Sequence, residues 1–263
     1  MTLMEGKKRI VVKVGTSTLT HKTGKTNIAR MAKLVSVLSD LKNEGHQVVL
    51  VSSGAVGIGA SKIGFVKKPE TTQGLQAAAA VGQCELMFLY DKMFSEYGVI
   101  VSQLLFTADT LENPLEKKNL LNTFTQLLEY DVLPIVNEND SVYVEELLNG
   151  DNDCLSANVA KLINADLLIL LTDTDGLYDD NPRTNPDAKL ISRVDKITDE
   201  IFALAGEAGA SGTGGFVTKI KAAKIATDCG IPVVIMNGER PTSIYKVLEG
   251  REIGTYFSAC INR

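Results

Sequence analysis

Apolar residues recur along this chain in two alternating rhythms. Short runs such as Ile10-Val11-Val12 and Leu167-Leu168-Ile169-Leu170-Leu171 are apolar at consecutive positions, the pattern of strands covered on both faces. Longer stretches repeat every three to four residues, as in Ile28, Met31, Leu34, Val35, Leu38 and Leu41. This predicts strands over 10–14, 48–51, 100–105, 132–136, 167–171 and 232–236. It predicts helices over 27–44, 72–97, 115–129, 155–163 and 222–229, with a further helix opening at Ser52-Ser53-Gly54-Ala55. Asn27 is placed to cap its helix and Gly45 to stop it. Strands alternating with amphipathic helices predict an α/β fold with a mainly parallel sheet. The 72–97 helix carries apolar residues on more than one face, including Leu75, Leu86, Met87, Phe88 and Leu89. Such a helix is either the centre of one core or is shared between that core and a second copy of the chain.

Composition narrows the function classes. At 263 residues and 44% hydrophobic, the chain can bury a full core. A net charge of −5 and a pI of about 5.2 disfavour non-specific nucleic-acid or anionic-membrane binding. An anionic ligand must then be held by a few local lysines and backbone N–H groups. The four cysteines form no CxxC pair and fit a reducing, cytoplasmic setting. With two histidines no Cys/His metal cluster can be assembled, so no protein-held metal is expected, and the short supply disfavours a His-dependent triad. No 18-residue apolar run and no signal-peptide core are present. The Asn/Asp/Pro-rich stretch 178–189 reads as a surface excursion, and there is no internal repeat.

Two tempting motifs fail. Gly24-Lys25-Thr26 resembles the end of a Walker A loop, but the required first glycine is Leu19. Gly57-Ile58-Gly59 begins a dinucleotide fingerprint whose third glycine is Lys62.

Five segments carry more weight. Val132 to Val136 runs into Asn137-Glu138-Asn139-Asp140, with Gly150-Asp151-Asn152-Asp153 soon after; dense amides and carboxylates past an apolar strand mark either a ligand site or a solvated acidic loop. Lys13 lies inside the first strand, before Gly15-Thr16-Ser17, and either faces a ligand or sits on an edge strand. Ser52-Ser53-Gly54-Ala55 offers helix N–H groups to an anion or is a serine cap. Thr172-Asp173, ending the 167–171 run, lines a nucleotide or begins a glycine turn. Gly212-Thr213-Gly214-Gly215-Phe216-Val217-Thr218-Lys219 is a glycine-rich loop entering a helix with a lysine at the transition. Two lysines, glycine-rich turns and carboxylates together suggest phosphoryl transfer, which needs charge neutralisation and positioning more than covalent help.

These segments, in order over nearly the whole chain, resemble the amino acid kinase superfamily and within it the glutamate 5-kinases. The resemblance rests on Val11-Val12-Lys13-Val14-Gly15-Thr16-Ser17, Ser53-Gly54-Ala55, Val136-Asn137-Glu138-Asn139-Asp140, Gly150-Asp151-Asn152-Asp153, Leu171-Thr172-Asp173 and Thr213-Gly214-Gly215 to Lys219. It implies a three-layer α/β/α sandwich around a mainly parallel central sheet, built as a single amino acid kinase domain over 1–263. It implies ATP-dependent phosphorylation of the L-glutamate γ-carboxylate to γ-glutamyl phosphate, the first step of proline biosynthesis. Lys13, Lys219 and Asp153 are the implied catalytic residues. Ser53, Gly54, Ala55, Asn137, Asp140, Asp151 and Asn152 are implied on the substrate side. Lys13, Gly15, Thr16, Thr172, Asp173 and the 213–219 loop (Thr213, Gly214, Gly215, Phe216, Val217, Thr218, Lys219) are implied on the ATP side. Mg²⁺ is implied with ATP, along with proline as feedback inhibitor, a homo-oligomer (dimer or tetramer) and hand-over of product to γ-glutamyl phosphate reductase. Many relatives carry a C-terminal PUA domain, and the expectation here is a short form without one; Phe216-Val217 is bulkier than the resemblance leads one to expect. The alternatives are a non-catalytic glutamate or proline sensor of the same fold, or a relative acting on acetylglutamate, aspartate, carbamate or UMP.

Overall fold

The computed structural model describes residues 6–21, 23–65, 67–142, 152–208 and 215–260. Its strands are β1 (Arg9–Val14), β2 (Gln47–Ser52), β3 (Val101–Phe106), β4 (Leu133–Glu138), β5 (Leu167–Thr172), β6 (Arg193–Val194), β7 (Val233–Asn237) and β8 (Thr255–Phe257). Its helices are α1 (Thr16–Leu19), α2 (Ile28–Asn43), α3 (Ala55–Ile63), α4 (Thr72–Ser95), α5 (Ala108–Glu112), α6 (Pro114–Glu129), α7 (Asn152–Leu162), α8 (Asp199–Ala208), α9 (Gly215–Asp228) and α10 (Ser243–Leu248). The chain divides into two compact units, residues 14–152 and residues 1–13 with 153–263.

In the 14–152 unit the strand order is β3-β4-β2, and both pairings are parallel. β2 and β4 are buried along nearly their whole length, whereas β3 is half-exposed and ends the order. α2 starts where the Asn27 side chain accepts from the Arg30 N–H, and Gly45, at φ 94°, follows its end. Met31, Leu34, Val35, Leu38 and Leu41 form its buried stripe. α3 and α4 cross backbone to backbone. A Cβ on Gly59 would lie 1.8 Å from the Ala78 carbonyl oxygen, and one on Gly82 would lie 1.7 Å from that of Ala55. Only glycine at both positions permits this approach.

In the other unit the order is β1-β5-β7-β8-β6. β5 pairs with β7 and β6 with β8 in parallel, while β7 and β8 are antiparallel. β5 is buried at every position, as its unbroken apolar run requires. The 178–189 excursion starts at a bridge between Tyr178 and Leu190. Short Asx bonds stitch it, with Asp179 Oδ1 accepting from the Lys189 N–H at 2.7 Å and Asn181 Oδ1 from the Arg183 N–H at 3.0 Å.

Three boundaries differ from the sequence expectation in ways that matter. β4 continues through Asn137 and Glu138, which are buried strand residues. α7 begins at Asn152, so Asn152 and Asp153 lie in a helical first turn. α9 begins at Gly215, placing Phe216, Val217, Thr218 and Lys219 in helix instead of in a glycine-rich loop. Glycine and β-branched residues have low helix propensity, so their local sequence argues against helix there. Thr218 and Lys219 are instead anchored by their side chains, described next.

Candidate active site

Lys13 is the fifth residue of β1 and is 4% exposed. Its ammonium lies 2.6 Å from Asp153 Oδ1. Lys219, in the second turn of α9, donates to Asp153 Oδ2 at 3.0 Å, and the Thr218 hydroxyl donates to the same oxygen at 2.9 Å. Asp153 is 2% exposed, and the Ser156 hydroxyl donates to its backbone carbonyl at 2.6 Å. The edge-strand reading of Lys13 is therefore wrong: the lysine is buried on a carboxylate. Burial by itself would raise the Asp153 carboxyl, but attraction and hydrogen bonding from Lys13 and Lys219 outweigh it and hold it at about 2. Two ammonium groups share one carboxylate, which leaves an excess positive charge in a dry setting. That is a receptor for anionic oxygen.

The same unit holds Thr172 and Asp173 at the carboxyl end of β5. Thr172 is buried and donates to Asp173 Oδ1 at 3.2 Å; Asp173 also takes Arg183 at 3.0 Å. Beyond the turn, Asn237 donates to Asp175 at 2.9 Å. Carboxyl ends of strands in open α/β sheets are where ligands bind. Of the residues expected on the ATP side, Phe216 and Val217 are half-buried in α9 and Gly215 is its first residue. Thr213 and Gly214 lie outside the described residues, as does Asp151 on the substrate side.

The 14–152 unit holds a second constellation, made of amides. Asn152 Nδ2 donates to Asn137 Oδ1 at 2.7 Å, to Ser53 Oγ at 2.8 Å and to the Ser52 carbonyl at 3.2 Å. Asn137 Nδ2 in turn donates to Gln83 Oε1 on α4 at 2.8 Å. Ser52 Oγ shares a 2.8 Å hydrogen bond with the Tyr90 hydroxyl. Neither serine caps α3. The helix is entered through Gly54 at φ 106° with no side-chain cap, and Ala55 opens it. Gly15 precedes the short α1, whose first residue, Thr16, is exposed. Past the end of β4, Asp140 is pushed up to about 6, first by burial and then by the Glu138 charge, with Lys68 opposing. The Glu138 charge and burial thus work together against an ionised Asp140.

Gln83 and Tyr90 are site residues that the sequence reading missed. The available signal was position. Leu75, Ala79, Gln83, Leu86 and Tyr90 fall at helical spacing on the buried stripe of α4, where a lone amide needs a partner.

A model of the amino acid kinase family matches residues 8–237. The chain belongs to this family. It is 53% identical to the glutamate 5-kinase of Clostridium perfringens, over 97% of both chains. It is 55% identical to that of Moorella thermoacetica, over 95% of this chain and 66% of the relative. Among solved structures, the family member resembles the UMP kinase of Ureaplasma parvum (TM-score 0.68, 15% identity, 97% and 100% of the two chains). It also resembles the isopentenyl phosphate kinase of T. acidophilum (TM-score 0.64, 19% identity, 95% and 99%). The fold is the α/β class expected from the sequence, a mainly parallel central sheet with helices. No described helix is long and apolar enough to cross a membrane.

Proposed function

We propose that this chain transfers the terminal phosphoryl group of ATP to the γ-carboxylate of L-glutamate, giving γ-glutamyl phosphate and ADP, the first step of proline biosynthesis. The observation that carries this reading is the buried Lys13–Asp153–Lys219 arrangement, in a chain about half identical over its length to glutamate 5-kinases. A γ-carboxylate oxygen attacks the terminal phosphorus, the bond to the bridging oxygen of ADP breaks, and ADP leaves with that electron pair. The acceptor, with an ordinary pKa of about 4, is already ionised at pH 7 and needs no base. Lys13 and Lys219 would neutralise charge growing on the transferring oxygens, and Asp153 would hold both in place.

On the acceptor side, Asn152, Ser53, Asn137 and the Gly54-Ala55 entry to α3 would bind glutamate, with the paired Asp140 and Glu138 receiving its α-ammonium. Asn152 and Asp153 are successive residues of α7. Thr172, Asp173, Gly15, Thr16 and residues 215–219 would line ATP. No group of three His, Cys, Asp or Glu side chains among the described residues is arranged to cage a metal, and Asp153 is already committed to two lysines. A Mg²⁺ brought by ATP would neutralise charge on the phosphates, with Lys13 and Lys219 adding the protein's own positive charge. We further read the chain as one amino acid kinase domain, since the family match spans both units. Proline would compete with glutamate, sharing its ammonium and α-carboxylate; product would pass to a reductase, and copies would associate.

The test is purified protein with Mg-ATP and a panel of acids, trapping acyl phosphate with hydroxylamine. Hydroxamate should form best with L-glutamate. N-acetylglutamate, lacking the ammonium, should be poor. Equal turnover of the two removes the substrate assignment, and no hydroxamate from any acid leaves the sensor reading.

A further inference from the structure

Resting on that reading, we propose that Gln83 is a substrate-contacting residue whose amide N–H binds the α-carboxylate of the acceptor amino acid. The neighbours of the three amides fix which way each one points. Asn152 Nδ2 faces the Ser52 carbonyl, which can only accept. Asn137 Oδ1 faces the Glu138 backbone N–H at 3.0 Å, which can only donate. Asn137 Nδ2 must then donate, so the Gln83 atom that it meets at 2.8 Å is the oxygen. Reversing any of the three would set donor against donor or acceptor against acceptor.

The result is a head-to-tail relay running from Asn152 through Asn137 to Gln83. It ends in two buried atoms without a hydrogen-bond partner among the described residues, Asn152 Oδ1 and Gln83 Nε2. Gln83 is 9% exposed and Asn152 5%. A buried unpaired polar atom is costly, and native structures retain few of them. These two are complementary: one end accepts and the other donates. Hydrogen bonds in a chain polarise one another in a common direction. Asn152, donating through its nitrogen, becomes a better acceptor at its oxygen. Gln83, accepting at its oxygen, becomes a better donor at its nitrogen. An α-amino acid zwitterion carries the matching pair: a carboxylate for Gln83 Nε2, and an ammonium whose three N–H groups can serve Asn152 Oδ1 as well as the Asp140 side. The γ-carboxylate must remain free to meet the phosphoryl group, so the α-carboxylate is the one assigned to Gln83.

The test exchanges donor for acceptor. Gln83→Glu keeps an oxygen for Asn137 Nδ2 but replaces the free N–H with an anionic oxygen. The acceptor is varied in parallel, using L-glutamate and its α-amide, which keeps the γ-carboxylate. Dissociation constants of both ligands are measured by calorimetry on wild type, Gln83→Glu and Gln83→Met. kcat, both KM values and melting temperatures are measured alongside. Wild type should prefer glutamate to the α-amide. In Gln83→Glu that preference should fall by about tenfold or more, the worth of a charge-assisted hydrogen bond. In Gln83→Met it should move the same way by less. KM for ATP should stay within about twofold of wild type, the scatter of an uninvolved site.

If Gln83→Glu keeps the wild-type preference, Gln83 acts only on Asn137 and the inference is overturned. It is also overturned if wild type binds neither ligand. If wild type binds glutamate yet makes no hydroxamate, the phosphoryl-transfer reading fails, while calorimetry still decides the role of Gln83.

Discussion

Lys13 and Lys219 sit on the two oxygens of one buried carboxylate, so changing any of the trio should move stability and, on the proposed function, rate. Lys13→Ala and Lys219→Ala should each lower kcat by about 10²–10³, the usual effect of losing one donor to a developing charge. KM for glutamate should change little, because the charge grows only as the bond breaks. Steady-state kinetics at saturating ATP check this, and a wild-type kcat in either variant removes that lysine from the chemistry. Asp153→Asn leaves the buried Lys13 and the half-buried Lys219 without their anion, and breaking a buried pair costs about 3–5 kcal/mol. It should lower both kcat and the melting temperature. The Asp153 carboxyl is held at about 2 in the folded state, below its ordinary value. Its stabilising contribution is therefore complete above about pH 4 and fades as the pH falls towards 2. Asp140 runs the other way. Raised to about 6, it is largely protonated at pH 5, and a neutral carboxyl attracts no ammonium. Glutamate affinity should therefore weaken as pH falls through 6, by up to about tenfold per pH unit. Asp140→Asn should bind weakly at pH 8 and lose that dependence. Calorimetric titrations from pH 5 to 8 decide it, and a wild-type slope in the variant sinks the assignment.

At the scale of elements, the α3–α4 crossing joins two parts of the amide constellation. Ala55 follows Ser53-Gly54 at the start of α3, and Gly82 precedes Gln83 in α4. Gly82→Ala and Gly59→Ala would drive a methyl into opposing backbone, which cannot rotate away. Each should destabilise by about 1–3 kcal/mol or more and raise the KM for glutamate by shifting Gln83 and Ser53. Gly206→Ala in α8 is the control. Nothing lies within 4 Å of its Cβ and no positive φ is required, so the same change should stabilise by about 0.5–1 kcal/mol. Thermal melts that gave all three variants the same sign would refute this account of the crossing. This crossing was not legible in the sequence, where Gly57-Ile58-Gly59 stood out only as a failed fingerprint. The strands were legible because β2, β4 and β5 are buried on both faces and apolar without a break. The starts of α7 and α9 were not. Asn152-Asp153 and Gly215–Lys219 have poor helix propensity, and both helices open on side chains fixed by partners distant in the chain. Lys13 and Lys219 could be marked as chemistry from their places in a strand and at a glycine-rich loop, and Asp153 as the anion that holds both through the resemblance. The partnership of Gln83 with Asn137, by contrast, is a fact of folding.

For the whole molecule, α4 frames the question of assembly. Its buried stripe includes Leu75, Ala79, Gln83, Leu86, Tyr90 and Phe94. Met87 and Leu89 are half-buried. Val81, Cys84 and Phe88 are exposed at spacings of three and four residues, which makes an outward stripe on the same helix. Phe88 is 59% exposed and Val81 37%. One exposed apolar residue needs no explanation, but a second apolar stripe on an already buried helix calls for a partner. We predict a homo-oligomer in which this stripe is covered by another copy. Light scattering should give a multiple of 28.3 kDa. Phe88→Asp, at a position outside the core, should shift the mass towards one chain without lowering helix content by circular dichroism. If wild type already runs as a single chain at working concentration, the second stripe has another explanation. If Phe88→Asp leaves the assembly intact, copies meet on some other face. The measurement also separates assembly from catalysis. Phe88 takes no part in the lysine clamp or the amide relay, so the kcat of a monomeric Phe88→Asp protein shows whether a lone chain can carry out the phosphoryl transfer.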